Sequence, residues 1–243
     1  MMMPERIQQD AHGAILCDAA VSSQVDDDWF APDCWRERGA LRMQAGGRGG
    51  VAIIASPLGE CVLRHYRRGG LVRALLGDRY LWLGARRSRP FREFRLLAEI
   101  ARLGLPGPCA VAARYRRQGL LYRADLITHR IAGARTLAEC LAGGDLGSEL
   151  AVEVGAVVGR FHRAGIWHAD LNAHNVLVSA AGLHLIDFDR GRQRAPAPGW
   201  RRANLQRLRR SLLKLGAAAA GEQAFEREIW QPLLHGYERA LTA

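Results

Sequence analysis

Asp170, Asn175 and Asp187 have the types and the spacing needed to move a phosphoryl group. The first two lie five residues apart in His168-Ala169-Asp170-Leu171-Asn172-Ala173-His174-Asn175, and the third opens Asp187-Phe188-Asp189 twelve residues later. Transfer from ATP needs one carboxylate to orient the acceptor hydroxyl and take its proton. It also needs an amide oxygen and a second carboxylate to hold Mg²⁺, a hard cation, on the nucleotide phosphates. Asp170 is the candidate base, and Asn175 and Asp187 are the candidate metal ligands. Singly, each is better read as a turn former or a strand end. Their order and spacing together favour the catalytic reading.

The elements around this set can position it. Leu150, Val154, Val157, Val158 and Phe161 recur at helical spacing and lead a buried helix into the His168 loop. Val176–Val178 and Leu183–Ile186 form a hairpin that returns Asp187 beside Asn175. Farther upstream, Gly46, Gly47, Gly49 and Gly50 form a loop whose backbone N–H groups could approach phosphates closely. Val51–Ala55 and Cys61–Tyr66 follow as strands. The second carries Arg64, which stays charged and can bind phosphate bidentately; resemblance to kinases, which hold the nucleotide phosphates with a lysine on such a strand, implies that role for it. A helix over Pro90–Leu103 begins near Glu93, favoured over Glu99 as the partner of Arg64 because Leu97 lies one turn beyond it on the packed face.

Ala14–Cys17 reads as a short strand, and the rest of residues 1–40 carries few periodic signals. Strands over Cys109–Tyr115 and Leu120–Ile131 complete a β-rich half. Beyond Gly133 the chain is helical: Thr136 and Glu139 have capping-box spacing. Leu205, Leu208, Leu212 and Leu215 line one helical face, and Phe225–Leu241 gives a last helix. The expected fold class is α+β, with a β-rich nucleotide-binding part over residues 1–132, a helical part over residues 133–243 and a hinge near 131–136.

Composition narrows the partners. The 243 residues carry 35 basic and 24 acidic side chains, a net charge of +11, and Lys214 is the only lysine. Such a field attracts anions without choosing among them. Arg190, Arg192, Arg194, Arg201 and Arg202 crowd the segment after Asp187, where an anionic acceptor would fit. No helix-turn-helix, zinc or base-stacking motif supports nucleic-acid binding. Five scattered cysteines without a C-x-x-C pair fit a reducing cytosol. With no continuous apolar leader or span, the sequence predicts a chain neither secreted nor membrane-spanning.

The histidine-to-asparagine loop and Asp187-Phe188-Asp189 resemble protein kinases, in which a histidine at the position of His168 fastens the loop to the core. Ala169 replaces the arginine of H-R-D, Asp189 the glycine of D-F-G, and no A-P-E follows, which implies activity without a phosphorylation switch. Val62-Leu63-Arg64-His65-Tyr66-Arg67-Arg68-Gly69-Gly70, Gly119–Leu126, His168–Asn175 and Ile186–Gly191 closely resemble 3-deoxy-D-manno-octulosonic acid (Kdo) kinases. That resemblance implies a two-lobed protein-kinase-like fold, ATP and Mg²⁺ as cofactors, and Asp170 as catalytic aspartate. It further implies phosphorylation of the 4-hydroxyl of Kdo on lipid A in lipopolysaccharide assembly, at the cytoplasmic face of the inner membrane. Peripheral contact with that anionic surface is expected from the Arg190–Arg202 segment and from a tail face carrying Arg207 and Arg210; no protein partner is predicted. A lipopolysaccharide heptose kinase is the nearest alternative. Aminoglycoside or choline phosphotransferases fit less well, since their acceptors are cationic. A pseudokinase would have little reason to keep all three residues.

Overall fold

The computed structural model describes residues 5–43, 51–67 and 77–243. They form two compact units, one of residues 1–99 and 108–130 and the other of residues 100–107 and 131–243. Residues 100–107, which a single linear boundary at 132 assigns to the first half, belong with the second.

The first unit is an antiparallel sheet. Strands β1 (Glu5–Gln9), β2 (Gly13–Asp18), β3 (Leu41–Met43), β4 (Val51–Ser56) and β5 (Gly59–His65) precede the two-residue β6 (Tyr80–Leu81). Helix α1 (Pro32–Glu37) lies between β2 and β3, and helix α2 (Arg89–Arg102) follows β6. Strands β7 (Ala110–Gln118) and β8 (Leu121–His129) complete the order β1-β2-β7-β8-β5-β4-β3, with β6 on β8. Residues 1–40, nearly silent in sequence, supply two strands and a cap. Trp29, Phe30 and Trp35 cluster with Ile15, Ile54, Leu63 and Ile127 in one buried core. Trp35 Nε1 donates to the Trp29 carbonyl at 2.9 Å, so its one polar atom is satisfied there. On α2, Phe91, Phe94, Leu97 and Ile100 recur every third residue and are all buried.

In the second unit, β9 (Arg135–Thr136) leads into α3 (Leu137–Ala142). Thr136 and Glu139 make both halves of the capping box there. Helix α4 (Ser148–Arg163) is followed by β10 (Ile166–Trp167) and the hairpin β11 (Val176–Ser179) and β12 (Gly182–Leu185). Strand β13 (Arg192–Gln193) pairs with β10, and α5 (Pro198–Lys214), α6 (Glu222–Phe225) and α7 (Gln231–Thr242) end the chain.

Helices α4 and α7 approach closely because the contact is built on glycine. A methyl at Gly155 would collide with the Leu233 carbonyl, and one at Gly236 with the Val152 carbonyl. The last helix runs on as expected, through a π-helical turn over Glu226–Trp230 that joins α6 to α7. One expectation for the tail needs correction. Leu215 is not on the buried stripe with Leu205, Leu208 and Leu212; it is the C-cap of α5 and 40% exposed. Among the described residues no helix is long and apolar enough to cross a membrane.

Candidate active site

The catalytic loop of the second unit is fixed by one buried histidine. His168 Nε2 lies 2.8 Å from the Ile186 carbonyl, which can only accept, so Nε2 carries the proton. Nδ1 then accepts the Asp170 backbone N–H at 3.1 Å. One neutral ring thus ties the Asp170 loop to the segment that presents Asp187, the fastening role expected of it. Burial holds its pKa below the ordinary histidine value, consistent with that tautomer. Phe188, fully buried, packs against this ring at 4.8 Å and stacks on Phe161 at 5.5 Å.

Asn175 is held from two sides. Its Nδ2 donates to the Asp170 carbonyl at 2.9 Å, and its own carbonyl accepts the Ile186 N–H at 3.0 Å. The first bond fixes the amide so that Oδ1 is the atom left to act as a ligand. The second places Asn175 next to the residue preceding Asp187. Asp187 adopts a left-handed backbone, φ 61°, a conformation aspartate tolerates better than most residues. Mg²⁺ on nucleotide phosphates commonly takes one or two protein oxygens and keeps its remaining positions for phosphate and water. Asn175 and Asp187 match that demand. No cluster of three acidic, histidine or cysteine ligands exists among the described residues.

Asp170 is exposed, and two side chains orient it. Asn172 Nδ2 reaches its Oδ2 at 3.2 Å, and Arg207 reaches its Oδ1 at 3.2 Å. Arg207, expected on a headgroup-facing surface, therefore sits at the candidate base. It belongs to a face of α5 that sequence reasoning missed. Asn204, Arg207 and Ser211, spaced three and four apart, all turn to the loop. Asn204 is 2% exposed and clamps His168 by its backbone: Nδ2 donates to the carbonyl at 2.9 Å and Oδ1 accepts the N–H at 3.3 Å. The same Oδ1 lies 3.3 Å from His162 Nε2, and Tyr237 O–H lies 3.1 Å from His162 Nδ1. Buried and uncharged, His162 has its pKa lowered by desolvation to about 4. Ser211 Oγ accepts the Ala173 N–H at 3.1 Å.

Of the arginines after Asp187, Arg190, Arg192, Arg194 and Arg202 are exposed. The Arg194 guanidinium covers Trp167 at 4.0 Å. Arg201 turns inward instead, donating to the His162 carbonyl at 3.1 Å, so its first task is structural.

In the first unit, Arg64 and Glu93 meet: the guanidinium is 2.5 Å from Glu93 Oε1, and Tyr66 O–H donates to Oε2 at 2.5 Å. Glu93 is 4% exposed, which rules out a solvated helix-start carboxylate. Arg64 also stacks on Tyr66 at 4.7 Å. The next residue anchors a second ion cluster. His65 lies between Asp125, 2.7 Å from Nδ1, and Asp78, 2.9 Å from Nε2; Arg114 pairs Asp125 from the other side at 2.9 Å. The hydrogen bond to Asp125 raises the His65 pKa above its ordinary value despite burial. Gly46, Gly47, Gly49 and Gly50 lie outside the described residues.

Comparison with known proteins supplies the family. The model of the lipopolysaccharide kinase (Kdo/WaaP) family matches residues 32–237. A 3-deoxy-D-manno-octulosonic acid kinase of Xanthomonas axonopodis pv. citri is 49% identical over 84% of this chain and 82% of its own length. The enzyme so named in Xanthomonas oryzae pv. oryzae is 48% identical over 87% and 84%, and that of Xylella fastidiosa 47% identical over 84% and 81%. Among solved structures, WaaP in complex with acyl carrier protein aligns with TM-score 0.51 and 21% identity, covering 84% of this chain and 82% of that one; it supports the fold alone. A mixed α+β chain with this loop and these relatives is a member of the lipopolysaccharide kinase (Kdo/WaaP) family.

Proposed function

We propose that this protein transfers the γ-phosphoryl group of ATP to the 4-hydroxyl of a Kdo residue on lipid A, in assembly of the lipopolysaccharide inner core. The observation that carries the reaction is the coupling of Asp170, Asn175 and Asp187 through His168 and the Asn175 backbone. The acceptor follows from the relatives, each named a 3-deoxy-D-manno-octulosonic acid kinase.

Asp170 orients the 4-hydroxyl and takes its proton as the oxygen bonds to the γ-phosphorus; the bond to the bridging oxygen breaks and ADP leaves. Arg207 and Asn172 hold the carboxylate from its two oxygens. Mg²⁺ held by Asn175 and Asp187 would neutralise charge on the nucleotide phosphates. Arg64, with Glu93 and Tyr66 setting its position, is assigned to those phosphates in place of a lysine. The exposed Arg190, Arg192, Arg194 and Arg202 suit an acceptor that carries a carboxylate and phosphates. The site of action is the cytoplasmic face of the inner membrane, with peripheral attachment. The absence of a protein partner remains an expectation from sequence; the acyl carrier protein complex is a property of the neighbour.

The test is incubation with Kdo-lipid A, ATP and Mg²⁺, with product mass measured for the parent protein and Asp170→Ala. Loss of the base should slow transfer by about 10²–10⁴-fold. Phosphate on heptose and none on Kdo would overturn the acceptor assignment.

A further inference from the structure

Arg207 is placed to do more than hold the candidate base. It stands between two contacts that pin its helix to the Asp170 loop. Asn204, three residues earlier on α5, donates to the His168 carbonyl at 2.9 Å, and Ser211, four residues later, accepts the Ala173 N–H at 3.1 Å. The backbone of Arg207 is therefore fixed relative to the loop, and its Nη1 reaches Asp170 Oδ1 at 3.2 Å. A guanidinium carries five N–H donors in a planar fork. Among the described residues only Nη1 of Arg207 is engaged, and Nε and Nη2 have no protein partner. The Arg207 and Asp170 side chains are 46% and 62% exposed, so a bound molecule can reach both. Stability does not account for the pair, since ion pairs this exposed contribute little. Two other arginines of the same helix are engaged elsewhere: Arg201 donates to the His162 carbonyl, and Arg209 pairs with Glu226.

The acceptor carries the group that the open edge of Arg207 fits. In Kdo a single methylene separates C4, whose hydroxyl reacts, from the ring carbon that bears the carboxylate. Once Asp170 touches the 4-hydroxyl, the acceptor carboxylate must come close to the Asp170 carboxylate. Two like charges so near repel each other. A cation held against Asp170 by one nitrogen, with its other edge open, offsets that repulsion and can take the second carboxylate through paired N–H bonds. A heptose ring has no carboxylate and offers this edge nothing. We infer that Arg207 bridges the Asp170 carboxylate and the carboxylate of the Kdo acceptor, and that it is the residue by which this protein selects Kdo over a neutral sugar. The inference rests on the reading above that the reacting hydroxyl belongs to Kdo, and it names the arginine that recognises that sugar.

The test crosses variants of the full chain with two acceptors, Kdo-lipid A and its Kdo methyl ester, which differ by one charge. With ATP and Mg²⁺, kcat/KM is measured for each pair. The parent protein should use the ester about tenfold or more less well, as expected when a charge-assisted contact is lost. Arg207→Gln should use acid and ester almost equally, because the group that tells them apart is gone. Poorer positioning of Asp170 would lower kcat on both acceptors and cancel in their ratio, so the ratio reads recognition alone. Arg207→Lys should restore part of the preference for the acid, since the charge returns without the fork. KM for ATP should stay unchanged in both variants. A parent protein that uses acid and ester alike overturns the inference, and so does an Arg207→Gln variant that keeps the parent's preference. Either result leaves phosphorylation of Kdo standing. A parent protein that phosphorylates heptose and neither Kdo acceptor overturns the Kdo reading and the inference with it.

Discussion

The two units immobilise their candidate functional groups by opposite means. In the first, Arg64 and His65 are held by charge, against Glu93, Asp125 and Asp78, with Arg114 closing the cluster. In the second, the loop bearing Asp170 is held by neutral groups: His168 on two backbone atoms, and Asn204 bridging His168 and His162. The difference follows from the task. A side chain assigned to nucleotide phosphate must be a cation, and a cation this enclosed needs a carboxylate partner. A loop that presents a carboxylate beside a Mg²⁺ site gains from a support without charge, because a cationic histidine beneath it would repel Mg²⁺ and weaken the carboxylate as a base.

The largest effect should come from breaking the charged support. Glu93→Gln keeps the volume and one acceptor for Tyr66 but removes the Glu93 charge from Arg64. Destabilisation of about 3–5 kcal/mol is expected, nearer the lower end because part of the Arg64 side chain reaches water. Chemical denaturation of the variant measures it, together with a raised KM for ATP. A cost under 1 kcal/mol would show that charge is not what holds this corner.

Acid and base should then separate the two units. The folded pKa of His162 is about 4, below the ordinary 6.5, so its support is complete above 6.5 and is lost as pH falls toward 4. The difference corresponds to roughly 3 kcal/mol. His65 has a raised pKa, so its support is complete below 6.5 and is lost as pH rises through the folded value. Amide exchange followed across this range should show the second unit loosening first in acid and the first unit loosening toward alkaline pH. The same order in both directions would break the contrast.

How far the sequence discloses this arrangement depends on how local each contact is. Asp170, Asn175 and Asp187 are legible because loop, strand and hairpin are consecutive, so spacing stands in for geometry. Thr136 and Glu139 are legible because a capping box spans four residues. Glu93 is chosen over Glu99 by its place on the packed face of the helix. Within residues 1–40 the strand over Ala14–Cys17 is legible and lies inside β2, whereas β1 is missed because it is defined only by pairing with β2, which itself pairs with β7 roughly a hundred positions on. Asn204 is one asparagine in an arginine-rich helix, and only the fold shows that it faces His168. Arg207 and Arg210 look alike in sequence and both are exposed, and only the fold shows that Arg207 pairs with Asp170.

Asn204 probes the neutral support directly. Asn204→Ala leaves the His168 N–H, the His168 carbonyl and His162 Nε2 without this partner inside the protein. A buried polar group so abandoned costs about 1–3 kcal/mol, but two of these three contacts are long, at 3.3 Å. A total of about 2–3 kcal/mol is expected, below the Glu93 effect. Thermal unfolding measures it, and kcat should fall with it because the Asp170 loop loosens. A variant as stable as the parent would mean that His168 needs no clamp.

Arg207 should give the smallest change in stability and the clearest separation of stability from rate. It is an ion pair between two exposed side chains, and such pairs contribute about 0–1 kcal/mol. Arg207→Gln should therefore leave the unfolding midpoint almost unmoved. Its contact is with the proton-accepting carboxylate itself, so kcat should still fall, by about tenfold if one positioning hydrogen bond is lost. Arg207→Lys should recover part of that loss, since it restores the charge without the planar fork. Asn204 and Arg207 stand one helical turn apart on the same face. If stability and rate move together at Asn204 and separately at Arg207, the helix both builds the loop and tunes its carboxylate. If Arg207→Gln changes neither, the arginine is a bystander and Asp170 is oriented by Asn172 alone.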